Sequence, residues 1–324
     1  MYINETLAPN QPRPKEFDKV FTDQAIDFIG KNKDTSPFFV FLSYHSTHVN
    51  TPISASNDFL GTSQFGIYGD SVQEMDFHIG RLMNKLDEWS LTNNTLVIFT
   101  SDNGSWHLKL RGKKPVTKNN KAGSNGPLRG QKHETWEGGC RTPFVIKAPG
   151  LVPAGSTSDE ILRMVDLLPT FNALTGAEAP KAKIDGANQL PLLTGQSAQS
   201  AVDYHFYYFE NQLQAVRDSS YKLVRPRLAF SPWSLNSKTK NIGGQSTPIK
   251  TYELYDLKND LGETTNIANE HPEVVEKLKE QIELMRQDLG DYNIMGTNCR
   301  TDVYWTGSRA KLLGAKHPLI DAIK

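Results

Sequence analysis

Short apolar runs alternate with amphipathic helices through the first half of this chain, and that alternation restricts its fold more than any other feature. Pro37-Phe-Phe-Val-Phe-Leu-Ser-Tyr44, Asn94-Thr-Leu-Val-Ile-Phe-Thr100 and Thr142-Pro-Phe-Val-Ile-Lys147 are brief and rich in strand formers. Runs of this kind suit strands buried on both faces of a parallel sheet. Between them, Phe17 to Lys31 carries Phe17, Val20, Phe21, Ile26 and Ile29 near helical spacing, with Gly30 placed as its stop. Tyr68 to Trp89 holds a longer stripe of Val72, Met75, Ile79, Leu82, Met83 and Leu86. Strands alternating with helices predict an α/β layered sheet. Ile161 to Thr175 reads as a further helix that Pro169 should kink or break.

Polarity rises from Ala177 to Ser200, and beyond it the pattern becomes one of consecutive strands. His205 to Phe209, Leu213 to Arg217, Tyr221 to Arg225 and Thr251 to Leu257 are the candidates, with Asp218-Ser-Ser220 as a hairpin turn. Pro272 to Leu289 is an amphipathic helix with proline in its first turn. The expected organisation is an α/β domain over residues 1–198 and a smaller α+β companion over 199–324, an antiparallel sheet plus a helix. No internal repeat is present.

Composition removes several function classes. The 324 residues contain 36 Lys plus Arg and 36 Asp plus Glu, so the formal charge is zero. A nucleic-acid partner is not expected, because such proteins carry a basic excess on one face. No apolar run approaches the length of a membrane span. Cys140 and Cys299 sit in no CxxC or Cys/His cluster, which argues against structural zinc. They read as unpaired small hydrophobes, though pairing is left open. Met1-Tyr-Ile-Asn-Glu-Thr has neither the basic nor the apolar segment of a signal peptide. At face value that start implies a cytoplasmic chain.

Three loops offer chemistry. Ser101-Asp102-Asn103-Gly104 follows the second apolar run, where open α/β sheets bind ligands. Its Asp-Asn pair offers hard oxygens suited to calcium or magnesium, and the same triplet also makes an ordinary turn. Tyr44-His45-Ser-Thr-His48 follows the first run, and its histidines could bind metal, donate to an anion or belong to a polar loop. Leu128-Arg-Gly-Gln-Lys132-His-Glu-Thr-Trp-Glu137-Gly-Gly-Cys-Arg141-Thr-Pro143 mixes glycines, cations and carboxylates. Such a segment suits an anion site, or equally a solvated basic loop. The connection Gly104 to Glu137 that contains much of it is too long to be merely a linker.

In this order the motifs closely resemble the sulfatase family, the formylglycine-dependent sulfuric ester hydrolases of the alkaline-phosphatase-like fold. The resemblance runs through His48, the long helix, Asp102-Asn103-Gly104, Asn125-Gly-Pro-Leu-Arg-Gly-Gln-Lys132 and Glu137-Gly-Gly. It continues through Pro149-Gly150, Val165-Asp-Leu-Leu-Pro-Thr170, Leu254-Tyr-Asp-Leu-Lys-Asn-Asp260 and Glu263-Thr-Thr-Asn266, covering nearly the whole chain. It implies that Asp102 and Asn103 supply two ligands of a Ca2+ ion, that Lys132 contacts the sulfate, and that His48 lies near the leaving oxygen. It implies no such role for His45 or His133, which are expected to be peripheral. A sulfate ester gathers negative charge on its bridging oxygen as the S–O bond breaks, which cations and a general acid relieve.

The resemblance also implies a nucleophile made from Cys or Ser in a Cys/Ser-x-Pro/Ala-x-Arg segment, and the sequence contains none. Cys140 is followed by Arg-Thr-Pro and Cys299 by Arg-Thr-Asp. Ser105-Trp-His107-Leu is a chance likeness to another family segment. The chain therefore reads as the later half of a sulfatase acting on an aryl or sugar sulfate, a fragment not competent alone. Its partners would be the sulfate ester and a missing N-terminal half. Met1 would then be an internal start, and location stays open, since the family is commonly periplasmic, secreted or lysosomal. Two other readings remain. One is an inactive relative binding sulfated glycans through Lys132, His48 and Arg129. The other is a metal-dependent phosphatase or phosphodiesterase, for which paired zinc would be expected. The basic stretch Lys109 to Lys121 reads as a solvated loop.

Overall fold

The computed structural model describes residues 2–3, 6–7, 12–48, 55–106, 123–209, 212–227, 248–291 and 294–299. The chain divides into two compact units. One comprises Met1–Phe99, Ser105–Ser124 and Val145–Gly150, the other Thr100–Gly104, Asn125–Phe144 and Leu151–Lys324.

In the first unit, a short antiparallel ladder of β1 (Tyr2–Ile3) and β2 (Thr6–Leu7) precedes two packed helices, α1 (Phe17–Asn32) and α2 (Gly66–Glu88). Helical spacing predicts both, but two details differ. α1 runs through Gly30 to Asn32. A Cβ at Gly30 would lie 3.3 Å from the Trp89 ring, so this glycine admits a close neighbour rather than ending the helix. The buried face of α2 is also largely polar, including Asp70, Glu74 and His78, while Val72 of the expected apolar stripe is exposed. Asp70 accepts from the Gly61 and Ser63 amides, and Glu74 accepts from the Ser56 amide. These carboxylates are buried because they satisfy the backbone of the 55–63 loop.

β3 (Val97–Thr100) and β4 (Phe144–Lys147) form where their apolar runs predict and pair as a two-stranded sheet. They are not buried on both faces: Phe99 and Val145 are exposed, because among the described residues no further strand extends this sheet. The run Pro37–Tyr44 departs from expectation. It forms no strand, and Phe39 and Phe41 are 70% and 76% exposed. Apolar content favours burial, but a strand exists only with a paired neighbour, and among the described residues none pairs with this segment.

The second unit carries α3 (Glu137–Cys140), α4 (Leu167–Thr175), α5 (Leu190–Leu193) and a four-stranded antiparallel sheet. Pro169 does not break α4. It occupies the first turn, where its missing amide is not needed, and a 3₁₀ turn at Met164–Asp166 precedes it. Gly176 closes the helix at φ 69°. The sheet is β5 (His205–Phe209), β6 (Gln212–Arg217), β7 (Tyr221–Val224) and β8 (Glu253–Asp256), in chain order. Arg217 faces Lys222 across the β6–β7 hairpin. α6 (Pro272–Asp288) follows, and β9 (Gly290–Asp291) pairs with β10 (Ile294–Met295).

Alternation along the strands, offset by a register shift where Tyr207 pairs with Ala215 and Tyr208 with Leu213, gives this sheet two buried faces. Leu213, Val216, Leu223 and Leu254 pack with Val275, Leu278 and Ile282 of α6. On the other face, Tyr207, Ala215, Val224 and Tyr255 pack with Trp136 from the glycine-rich segment. The sheet is thus the floor on which that segment rests.

Candidate functional site

Asp102 and Asn103 stand just past β3, Asp102 exposed and Asn103 half-buried. The next residue fixes their loop. The Gly104 amide donates to Gly139 O at 3.1 Å, and a Cβ at Gly104 would overlap Gly138 O. Gly138 is held in turn, its amide donating to Arg129 O at 2.7 Å. Cβ atoms at Gly138 and Gly139 would collide with the carbonyls of Arg129, Gly130, Gln131 and Glu134. Glycine here permits three layers of backbone to touch. The Asp102–Asn103 turn is thereby seated on the segment that carries Lys132.

Lys132 is half-buried at the turn of that segment and forms no ion pair among the described residues. Its neighbour His133 has a left-handed backbone, φ 73°, which a non-glycine residue adopts at a cost. Burial, then the nearby Lys132 charge, lowers the His133 pKa. The turn is braced by Glu134, whose carboxylate accepts from the Gln131 amide at 3.1 Å, and by Asn125, which donates to Gly130 O at 2.8 Å. Arg129 is engaged internally. Its guanidinium lies 3.6 Å from the Trp136 ring centroid and donates to Glu263 O at 2.8 Å.

Beneath the segment lies a buried charge cluster. Lys222 donates to Thr135 O at 2.7 Å and to Glu137 Oε1 at 3.0 Å, and its Nζ is 2.8 Å from Glu263 Oε1. Arg217 reaches Glu137 Oε2 at 2.9 Å, the Tyr207 hydroxyl donates to Glu137 Oε1 at 2.5 Å, and Glu263 Oε2 accepts from the Glu137 amide at 2.7 Å. Two cations balance two carboxylates, as burial of charge demands. Burial pushes the Glu137 pKa upward, but Lys222, Arg217 and the Tyr207 hydroxyl outweigh it and bring it down to about 2. Glu263 is raised by burial, only partly opposed by Lys222. The motifs include Glu137 and Glu263, but the pattern gives no role to Arg217 or Lys222. The available signal was alternation, which places both cations on the sheet face that carries Ala215 and Val224.

His48 is exposed and belongs to the other unit. Its turn is fixed from α1 and α2. Buried Asp18 accepts from the His45 and Ser46 amides at 2.9 and 3.3 Å. The Ser71 hydroxyl donates to that of Ser46, and the Tyr68 hydroxyl to that of Thr47. The His48 amide donates to His45 O, and the two imidazole centroids are 5.9 Å apart.

As a metal site, Asp102 and Asn103 fit calcium in kind, since both present hard oxygens at a loop of fixed backbone. In number they supply two of the six to eight oxygens such an ion takes. Among the described residues no group of three or more His, Cys, Asp or Glu converges. Cys140 and Cys299 are unpaired; Cys299 is exposed, while the Cys140 thiol donates to Glu134 O at 3.5 Å and burial pushes its pKa up to about 11. His107 and the basic stretch Lys109 to Lys121 lie outside the described residues. No helix among the described residues is long and apolar enough to cross a membrane.

Comparison with known proteins follows the same outline. The family model described as Sulfatase matches residues 1–177, and that for the C-terminal region of aryl-sulfatase matches residues 200–306. A third, for the C-terminal part of N-sulphoglucosamine sulphohydrolase, matches residues 131–243. Human steryl-sulfatase is 40% identical over 209 residues, covering 63% of this chain and 35% of that protein. N-acetylgalactosamine-6-sulfatase from Sus scrofa is 38% identical over 207 residues, covering 63% of this chain and 37% of its own length. A solved structure described under the metabolism of multiple glycosaminoglycans by Bacteroides thetaiotaomicron superposes with a TM-score of 0.70 at 28% identity, covering 85% of this chain and 55% of that one. A sulfatase from Pseudoalteromonas sp. gives 0.71 at 22% identity, covering 86% and 55%, a likeness of fold alone. The chain therefore matches little more than a third of the length of these curated relatives.

Proposed function

The chain belongs to the sulfatase family, and from that premise we propose that it forms the calcium- and sulfate-binding part of an enzyme hydrolysing sulfuric esters of aryl or sugar alcohols. The observation that carries the proposal is the seating of Gly104 on Gly138–Gly139, which ties the Asp102–Asn103 turn to the segment bearing Lys132. That tie supports treating the two anion-directed elements as one site.

In this reading Asp102 and Asn103 hold Ca2+, which when bound supplies positive charge to the sulfate oxygens. Lys132 donates its ammonium hydrogens to a non-bridging sulfate oxygen, and the absence of a carboxylate partner among the described residues leaves that charge available. His48, as an imidazolium, donates a proton to the bridging oxygen, which gains the electron pair of the breaking S–O bond and leaves as an alcohol. General-acid assistance of this kind contributes about a hundred- to ten-thousand-fold. Turnover also needs the nucleophile segment that these 324 residues do not contain. We assign residues 1–198 to the catalytic α/β region and 199–324 to the C-terminal α+β subdomain, a division supported by family matches at 1–177 and 200–306.

The test is titration of sodium sulfate into the protein with calcium chloride present, followed by calorimetry. Sulfate should bind the parent and be lost in Lys132→Ala at unchanged melting temperature. Unchanged sulfate binding in Lys132→Ala, or a preference for phosphate with zinc, would overturn the assignment.

A further inference from the structure

We propose that Lys222, on a strand of the C-terminal sheet, is a positioning residue for the calcium- and sulfate-binding loops. The inference rests on the function proposed above for those loops, and its physical part can be tested separately.

Lys222 is fully buried, so its charge must be of use inside the protein. Its ammonium lies over the Tyr207 ring, 4.1 Å from the centroid, and reaches Thr135 O, Glu137 Oε1 and Glu263 Oε1. Thr135 is three residues from Lys132. Glu137 opens the short helix whose Gly139 carbonyl receives the Gly104 amide, one residue from Asn103. A single ammonium thus fixes the segment just after the Lys132 turn and the short helix that forms the shelf under the Asp102–Asn103 turn.

The carboxylates are arranged for the same end. Glu263 holds a left-handed backbone, φ 49°, with its side chain fully buried. A non-glycine residue persists there only where its surroundings over-determine it. Here they do so through the Glu137 amide on Oε2 and Lys222 beside Oε1. Simple stabilisation would be served as well by apolar residues of similar volume. What the charged arrangement adds is direction, because the ammonium donates to Thr135 O and Glu137 Oε1 while its charge lies 2.8 Å from Glu263 Oε1, which favours one placement of the loop. The C-terminal sheet, which carries none of the proposed ligands, would then set the geometry of the site.

The experiment compares Lys222→Met and Lys222→Arg with the parent, reading amide hydrogen exchange at Gly104 and the calcium and sulfate dissociation constants of the folded protein. Positioning predicts that Lys222→Met loses protection at Gly104 and weakens calcium binding about 10- to 100-fold, as loss of outer-shell support does. Lys222→Arg, which keeps the charge and donors, should recover part of both. A variant that only melts earlier, with Gly104 protection and both constants unchanged, overturns the proposal. If Lys222→Met does not fold, the neutral Lys222→Met/Glu137→Gln/Glu263→Gln variant replaces it, and parental protection and affinity there overturn it equally. If the parent binds neither calcium nor sulfate while Lys222→Met still loses Gly104 protection, the site assignment fails and the positioning role stands.

Discussion

Replacing Gly104 by alanine tests whether the Asp102–Asn103 turn is held by backbone contact. The Gly104 backbone is not left-handed, so alanine can adopt it and only space opposes the change. The new Cβ would overlap Gly138 O and come within 3.2 Å of Asn125 Oδ1. Gly138 cannot retreat, since its amide donates to Arg129 O and its Cα faces the Arg129 and Gly130 carbonyls. Relief requires lifting the turn and giving up the 3.1 Å bond from Gly104 to Gly139. Overpacking costs about 1 to 3 kcal/mol and the lost bond about 0.5 to 1.5 kcal/mol, so a destabilisation of about 2 to 4 kcal/mol is expected. Gly80, inside α2 with nothing within 4 Å of a Cβ, is the internal control. Alanine there should stabilise by about 0.5 to 1 kcal/mol. Urea unfolding followed by circular dichroism reads both. A Gly104→Ala protein within about 0.5 kcal/mol of the parent, the range of an ordinary surface change, would refute the packing argument.

Other expectations follow from the buried cluster. Because the folded Glu137 pKa is depressed from 4.5 to about 2, its contribution is fully present above the unfolded value and disappears as pH falls through the folded one. Glu137→Gln should therefore cost about 3 kcal/mol at neutral pH, with the difference from the parent shrinking between about pH 5 and pH 2. A gap independent of pH in chemical unfolding would contradict this. Arg129→Lys keeps the charge but loses the planar stack on Trp136 and should cost about 1 to 2 kcal/mol in the same assay. An unchanged midpoint would show that the stack contributes nothing.

Much of the architecture is legible in the sequence. Helical spacing predicts α1, α2 and α6, and the hairpin around Asp218–Ser220 and the fourth strand appear where turn and strand formers place them. The failures have physical causes. An apolar run such as Pro37–Tyr44 reports hydrophobicity, not whether a partner strand exists. Spacing of apolar residues cannot show that α2 buries Asp70 and Glu74, because the reason lies in amide groups of the loop that leads into the helix. For the candidate site, the motifs indicated Asp102, Asn103, Lys132 and His48, and the structure adds what supports three of their four positions: the glycine shelf and the charge cluster. Arg217 and Lys222 escaped notice because cations on a strand look solvent-facing until the carboxylates opposite them are known.

The central claim, that the Asp102–Asn103 turn is a calcium site beside a sulfate-binding lysine, is tested most directly by calorimetric titration of calcium chloride in the presence of sulfate. The parent should bind calcium, and Asp102→Ala/Asn103→Ala should abolish that binding. Asp102 is exposed, so Asp102→Ala alone should leave the unfolding midpoint within about 0.5 kcal/mol of the parent. Calcium binding that survives loss of both oxygens, or a parent that binds none, would contradict the account.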